Sequence, residues 1–276
     1  MMGEITIEPW WNSGTGSPPF DRIEGAISQV GLGALHSVAS TREWFYFVGH
    51  NNQIYRANGA TVEPIFPDAI ARDIADFATI ADARGITYNL EGQWMYEVTF
   101  PTADKTYCYP EGGQVFELSS GTEGGKNIAS SSAFVFGKNL VGDSTSGNIY
   151  ELDPDTYTDN GSTIVRTRDT AVLHGGMFGV PGKRLEMNSL ELFVETGVGL
   201  LAGQGQDPKI TLSFSDDGGR TFTTVGADTI GKLGEYQHRV RWFALGSFYE
   251  RIIRIQISDP VYIVVYSAVA DIETGI

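Results

Sequence analysis

Cysteine is almost missing from this 276-residue chain: Cys108 stands alone. No disulfide can form within the chain, so the fold rests on its apolar core, for which the length suffices. Cys108 reads as a small buried apolar residue, because a thiol nucleophile needs a poised base and "KTYCYPEG" supplies none. Basic residues are scarce too, 19 Lys and Arg against 34 Asp and Glu, for a net charge of −15. Such a surface repels phosphate backbones and argues against sequence-specific nucleic-acid binding. Long apolar runs are lacking; none approaches the ~20 residues of a membrane-spanning helix. "MMGEITIEPWW" has neither the basic start nor the apolar centre of a signal peptide, so synthesis inside the cell and no membrane partner are expected.

What is present in quantity is short strands. "EWFYFVG", "QWMYEVTF", "SAFVFG", "SLELFVET", "KITLSFS", "RIIRIQIS" and "VYIVVYSAV" are alternating runs of aromatic and β-branched residues, and 34 glycines punctuate the gaps. This predicts an all-β protein rich in hairpins. One segment differs: in "FPDAIARDIADF" Ile70, Ile74 and Phe77 recur at helical spacing behind Asp68 as cap, which predicts a short amphipathic helix.

The first 165 or so residues repeat loosely. "WFYFVGHNNQIYRANG" (44–59), "WMYEVTFPTADKTYCYPEG" (94–112) and "FVFGKNLVGDSTSGNIYELDP" (134–154) each place an aromatic strand, a polar turn and a second strand containing tyrosine. Their starts lie about 50 and 40 residues apart, near the length of a four-stranded propeller blade. Three to four blades fit, fewer than most closed propellers contain, so either the ring is open or its missing part lies elsewhere. After "HGGMFGVPGKR" the strands lengthen. Leu190, Leu192 and Val194 share one face, as do Ile210, Leu212 and Phe214, and Ile253, Ile255 and Ile257. The expected organisation is propeller-like blades over 1–174 and a β-sandwich-like domain over 175–276.

Several motifs spell chemistry without its context. "GVGLLA" puts Gly197, Gly199 and Ala202 in the dinucleotide fingerprint, but "GQGQDPK" follows where a helix must start, so a mobile hairpin loop is expected and no cofactor. His36, His50, His174 and His238 show no metal-ligand spacing. "ELDPDTYTDNGS" (151–162), with Asp153 and Asp155, has oxygen ligands but not the order of an EF-hand, so it reads as a solvated turn and no metal site is expected.

"FSDDGGRTFTT" (214–224) carries the Asp-box pattern of sialidases and other propellers. Its expected role is structural: Ser215, Asp217, Gly219, Thr221 and Phe222 close a hairpin turn, the carboxylate accepting backbone N–H groups while the ring plugs into the sheet beneath. Asp216 belongs to the same turn chemistry. Groups used this way are not free to attack a glycosidic bond, and a glycosidase needs two carboxyls across a cleft. The early Arg-Ile-Pro signature of sialidases is absent, and no catalytic residue is assigned.

The run "GEYQHRVRWFALGSFYERIIRIQISDPVYIVVYSAVADIE" resembles the end of the packaged-DNA stabilisation, or tail hub, proteins of short-tailed bacteriophages. The shared pattern falls on Gly234, Tyr236, Arg239, Val240, Trp242, Leu245, Gly246, Arg251, Ser258, Asp259 and Pro260. "FDRIEGAISQVGLGALHSVAS", "WFYFVGHNNQIYRANG", "PDAIARDIADF", "FPTADKTYCY" and "DPKITLSFSDDGGRTF" follow in the family's order, so the resemblance covers nearly the whole chain. Two departures stand out: family members usually carry a longer amino-terminal part, and Phe222 stands where they tend to have tryptophan.

The resemblance implies a non-enzymatic structural role in the virion tail, in a protein assembled in the host cytoplasm. Copies form a homo-oligomeric ring that extends and closes the portal channel, helps retain packaged DNA, and meets a portal adaptor, a tail needle and tailspikes. A ring of −15 chains would flank the channel with negative potential that keeps DNA from sticking. Trp10 and Trp11 would anchor a partner or plug the first blade. The alternative reading is a propeller-type carbohydrate-binding protein or sialidase-like glycoside hydrolase. A signalling adaptor on a propeller scaffold is a third class, lacking here its Trp-Asp repeats.

Overall fold

The structure is a computed structural model that describes residues 1–122 and 124–274. Strands dominate throughout. The chain divides into two compact units, Met1–Pro154 and Asp155–Ile276, so the boundary expected after residue 174 falls earlier. The reason lies in pairing: segments after Pro154 add to a strand near the carboxyl end rather than to the blades.

The first unit opens with a hairpin of β1 (Trp10–Asn12) and β2 (Phe20–Arg22), paired Trp10 with Arg22. Trp10 and Trp11 are both exposed there and plug nothing. Next comes a four-stranded antiparallel meander of β3 (Ala39–Ser40), β4 (Phe45–Val48), β5 (Ile54–Asn58) and β6 (Thr61–Pro64). The helix α1 (Asp68–Ala75) follows, with Ile74 buried and Ile70 and Phe77 packed beside it, as the spacing predicts. Asp68 is not its cap: Pro67 holds that position in extended conformation without a side-chain bond, and Asp68 begins the first turn, where a carboxylate suits the positive end of the helix.

A second meander contains β7 (Arg84–Leu90), β8 (Gln93–Phe100), β9 (Lys105–Pro110) and β10 (Phe116–Leu118). A three-stranded sheet of β11 (Ala129–Val135), β12 (Lys138–Asp143) and β13 (Ile149–Glu151) completes the unit. Two four-stranded sheets and one of three make an unclosed set, the incomplete propeller. The first two repeats in the sequence are β4–β5 and β8–β9. In the third, "FVFG" is instead the end of β11 and a turn, because Phe136 and Gly137 adopt φ of 56° and 77°.

Aromatic residues join the first two sheets. Tyr46 and Tyr96 stack with ring centroids 4.9 Å apart, and the Tyr96 hydroxyl donates to the Ser37 carbonyl at 2.8 Å. Gly85 lets the chain pass, for a Cβ there would sit 2.1 Å from the Ser37 carbonyl oxygen. A smaller cluster, with Ile86, Ala129 and Val141 at its centre, joins the second sheet to the third.

The second unit is a two-layer sandwich. The short pair β14 (Thr158–Asp159) and β15 (Ser162–Thr163) precedes β16 (Arg166–Asp169) and β17 (Leu173–His174), which both pair with a later strand, β22. One layer runs β16-β22-β19-β20, with β19 (Lys209–Ser215), β20 (Thr223–Thr229) and β22 (Glu250–Ile257). The other runs β21-β18-β23, with β18 (Leu185–Val194), β21 (Val240–Phe248) and β23 (Val265–Thr274). Leu190, Leu192, Ile210, Leu212, Ile253 and Ile257 all enter the shared core, as the alternation predicts. Met187 joins them because the register shifts between Met187 and Ser189, a bulge that returns the earlier part of β18 to the inner face.

The segment read as a hairpin loop, "GVGLLA" (197–202), instead lies in the connection from β18 to β19 across the two layers. No helix starts at Gly197, whose φ is 79° and whose amide donates to Ile230. No helix among the described residues is long and apolar enough to cross a membrane.

Candidate functional site

The Asp-box forms the turn between β19 and β20, which pair antiparallel with Phe214 opposite Thr223. Glycine at 218 and 219, with φ of 77° and 90°, lets the backbone reverse. Asp217 binds that reversal: its Oδ1 accepts from the Arg220 and Thr221 amides, both at 2.9 Å, and from Ser215 Oγ at 2.7 Å. Its Oδ2 accepts from Thr221 Oγ1 at 2.6 Å, and the Gly219 amide donates to Ser215 Oγ at 2.9 Å. The bond from Thr221 and the others hold the Asp217 carboxyl well below the usual range, so it stays an anion dedicated to the turn.

Phe222 is placed differently from expectation. It is half-buried, and the Arg254 guanidinium lies 3.5 Å from its ring centroid. Arg254 alternates along β22 with the core residues Ile253 and Ile255, so it leaves the sheet on the outer face. There it donates twice to Asp169, at 2.7 Å from both Nε and Nη2. The aromatic thus works as an outer strut under an ion pair rather than as a plug.

Asp216 also departs from its expected place. It leaves the turn to Asp217 and accepts two bonds from Arg251, at 2.7 Å from both Nε and Nη2. Arg251 is 2% exposed and donates a third bond to the Leu245 carbonyl at 2.6 Å. Its guanidinium lies 3.9 Å from the Phe214 ring centroid and 4.3 Å from that of Phe248. Desolvating a guanidinium is expensive, and a carboxylate, a carbonyl and two aromatic faces are the groups that offset it.

The first unit contains a polar group that strand reading missed. Glu97 on β8 is 2% exposed and has no cation beside it among the described residues. Its carboxyl accepts from Asn127 Nδ2 at 2.9 Å and from the Tyr88 hydroxyl at 3.3 Å. Burial pushes it up to about 7, against the opposing pull of those two bonds. Cys108, opposite Glu97 on β9, is also buried, and burial pushes its thiol up to about 12. A thiol so placed is inert at neutral pH.

Neither Glu97 nor Asp217 is free for glycosidase chemistry. The carboxyl with raised proton affinity, Glu97, is sealed between sheets of the first unit, whereas Asp217 lies in the second unit and is occupied by its turn. His36, His50, His174 and His238 stand in separate segments. His50 accepts from the Gly31 amide and His174 from the Gly176 amide. Among the described residues no group of three or more His, Cys, Asp or Glu is arranged to hold a metal ion.

Comparison with known proteins fits this description. The family model for the β-propeller of bacteriophage P22 Gp10 matches residues 1–157, and that for the P22 Gp10 β-sandwich matches 170–273. No curated protein gives a significant match. Among solved structures, a Bacillus subtilis glycoside hydrolase family 43 arabinoxylan arabinofuranohydrolase in complex with cellotetraose is 11% identical, with 94% of this chain and 57% of that one covered and a TM-score of 0.24. A further glycoside hydrolase is 10% identical, with 85% and 69% covered and a TM-score of 0.22. Likeness at that level carries no argument, and this chain spans little more than half of the arabinofuranohydrolase. The two consecutive family matches, propeller then sandwich, together span most of the chain, which therefore belongs to the bacteriophage P22 Gp10 family, the tail hub and packaged-DNA stabilisation proteins of short-tailed phages.

Proposed function

We propose that this protein is a non-enzymatic tail hub, acting in the virion tail after assembly in the host cytoplasm. Copies form a ring that extends and closes the portal channel, helps retain packaged DNA, and docks a portal adaptor, a tail needle and tailspikes. The observation that carries the reading is the ordered match of both domains to one phage structural family. Ser215, Asp217, Gly219, Thr221 and Phe222 serve the fold in this reading; four hydrogen bonds on Asp217 and a guanidinium on Phe222 support that assignment.

Net charge −15 supports a channel role, since a ring of such chains presents negative potential to passing DNA. Light scattering of the purified protein, alone and mixed with a candidate adaptor, tests the proposal. A defined ring or a stoichiometric complex is expected; a monomer indifferent to every adaptor, or turnover of an aryl glycoside, refutes it.

A further inference from the structure

The sandwich is sealed on one flank and open on the other. On the sealed flank Trp242 Nε1 donates to the Gly226 carbonyl at 3.2 Å and the Arg241 amide to Asp228 at 2.9 Å, joining β21 to β20. On the open flank β23 pairs only with β18, so its second edge has no neighbouring strand among the described residues. All ten residues of β23 are exposed except the half-buried Ile272. Ala268 and Ala270 are opposite Leu192 and Leu190 and share their inward face, yet both alanines are exposed. Across from them stand Ile253 and Ile255, and the gap is a cleft of about 630 Å³.

The chemistry of this flank specifies an occupant. A free edge ten residues long offers backbone donors and acceptors that only an extended chain can pair in series. The cleft beside it takes side chains from every second position of such a chain. The other lip carries Arg168, which lies opposite Ile255 and lines the cleft, and whose side chain makes no ion pair or hydrogen bond among the described residues. A second copy of β23 would suit poorly: its inward row, with Ala268, Ala270 and Ile272, holds no carboxylate to meet Arg168, and its Asp271 and Glu273 add to an already acidic edge.

We propose that the flank between β23 and β16 accepts an extended segment of a partner protein. This segment pairs on the free edge of β23, points branched apolar side chains into the cleft at alternate positions, and sets a carboxylate against Arg168. The inference rests on the reading that the chain works by docking, and it assigns a place and a chemistry to one such contact.

The test uses the full chain and two capped synthetic peptides of the length of β23. Both alternate valine with threonine; one carries a central glutamate and the other a lysine. Titration followed by fluorescence anisotropy should show the glutamate peptide binding about tenfold more tightly than the lysine peptide, with the order reversed in Arg168→Glu, as for a desolvating charge pair. Ala270→Trp, which fills the cleft from within, should weaken binding by about tenfold or more with thermal unfolding retained. Ala268→Leu serves as a second filled variant should the tryptophan disturb folding.

Absence of peptide binding, or binding indifferent to both filled variants, overturns the inference. Self-association of the unliganded chain that disappears in Ala270→Trp also overturns it, by making a second copy the occupant. Ring formation and adaptor binding measured on the same sample separate the two levels: if they persist while the peptides fail, only this inference falls, and if they too are absent the hub reading falls with it.

Discussion

The carboxylate of Asp216 and the guanidinium of Arg251, 35 residues apart in the chain, meet through two bonds of 2.7 Å at the end of the sandwich core. Arg251 occupies the inward row of β22 that continues as Ile253, Ile255 and Ile257, so this cation is built into the apolar layer. Removing its partner leaves a desolvated charge. Asp216→Ala and Arg251→Met should differ accordingly: the first costs about 3 kcal/mol of sandwich stability, the second less, because it removes the charge as well. Urea unfolding of both variants measures the difference; equal losses would contradict the account.

Asp217 controls how the turn responds to acid. Its folded proton affinity lies well below its ordinary value of 3.8, so the stabilisation it contributes is present above that value and fades as pH falls through the folded one. Asp217→Ala should therefore melt at a lower temperature than the parent at pH 7, with the two curves converging toward pH 2. Divergence of the curves in acid would show that the carboxylate does not hold the turn.

Glu97 has the opposite sign. Folded, it keeps its proton to about pH 7, and unfolded it releases it near 4.5. The stability linked to this group is whole below 4.5 and is lost as pH rises to about 7, a loss of about 3 kcal/mol at most. Glu97→Gln keeps an acceptor for Tyr88 and Asn127 but no charge, so it should be more stable than the parent at pH 8 and nearly equal at pH 4.5. Denaturant titrations at the two pH values check this, and a parent whose stability is flat between them would refute it.

Phe136 is 93% exposed and sits at φ 56° beside Gly137 at 77°, in a two-residue turn that favours Asn-Gly. Phe136→Asn should stabilise the first unit by roughly 1 kcal/mol, because a short polar side chain that can hydrogen-bond its own backbone tolerates the left-handed region better than an exposed aromatic ring. Thermal unfolding reads the gain; destabilisation would mean that the ring makes contacts worth more than its strain.

Fill of the core and closure of the Asp-box were legible because both are local. A period of two places Leu190 with Leu192 and Ile210 with Leu212 on one face, and glycines two residues from an aspartate specify a reversal. Phe222 was misplaced because the same alternation cannot say which side of a sheet will be covered at its rim. Glu97 was not legible: it shares one row of β8 with Thr99, opposite the row of Tyr96, Val98 and Phe100, and nothing local says that this row is covered. A third sheet covers that row, and neither Asn127 nor Ala129 announces this in advance.

By itself the chain's order of residues determined the class of structure, the approximate blade spacing, the sandwich faces and the Asp217 turn, since each depends on neighbours a few positions apart. Tertiary structure alone decided that β16 and β17 join β22, that Arg251 finds Asp216, that Glu97 is buried, and that the outer edge of β23 has no neighbouring strand among the described residues. Those outcomes depend on which distant surfaces meet, and desolvation, which sets their energies, has no counterpart in local spacing.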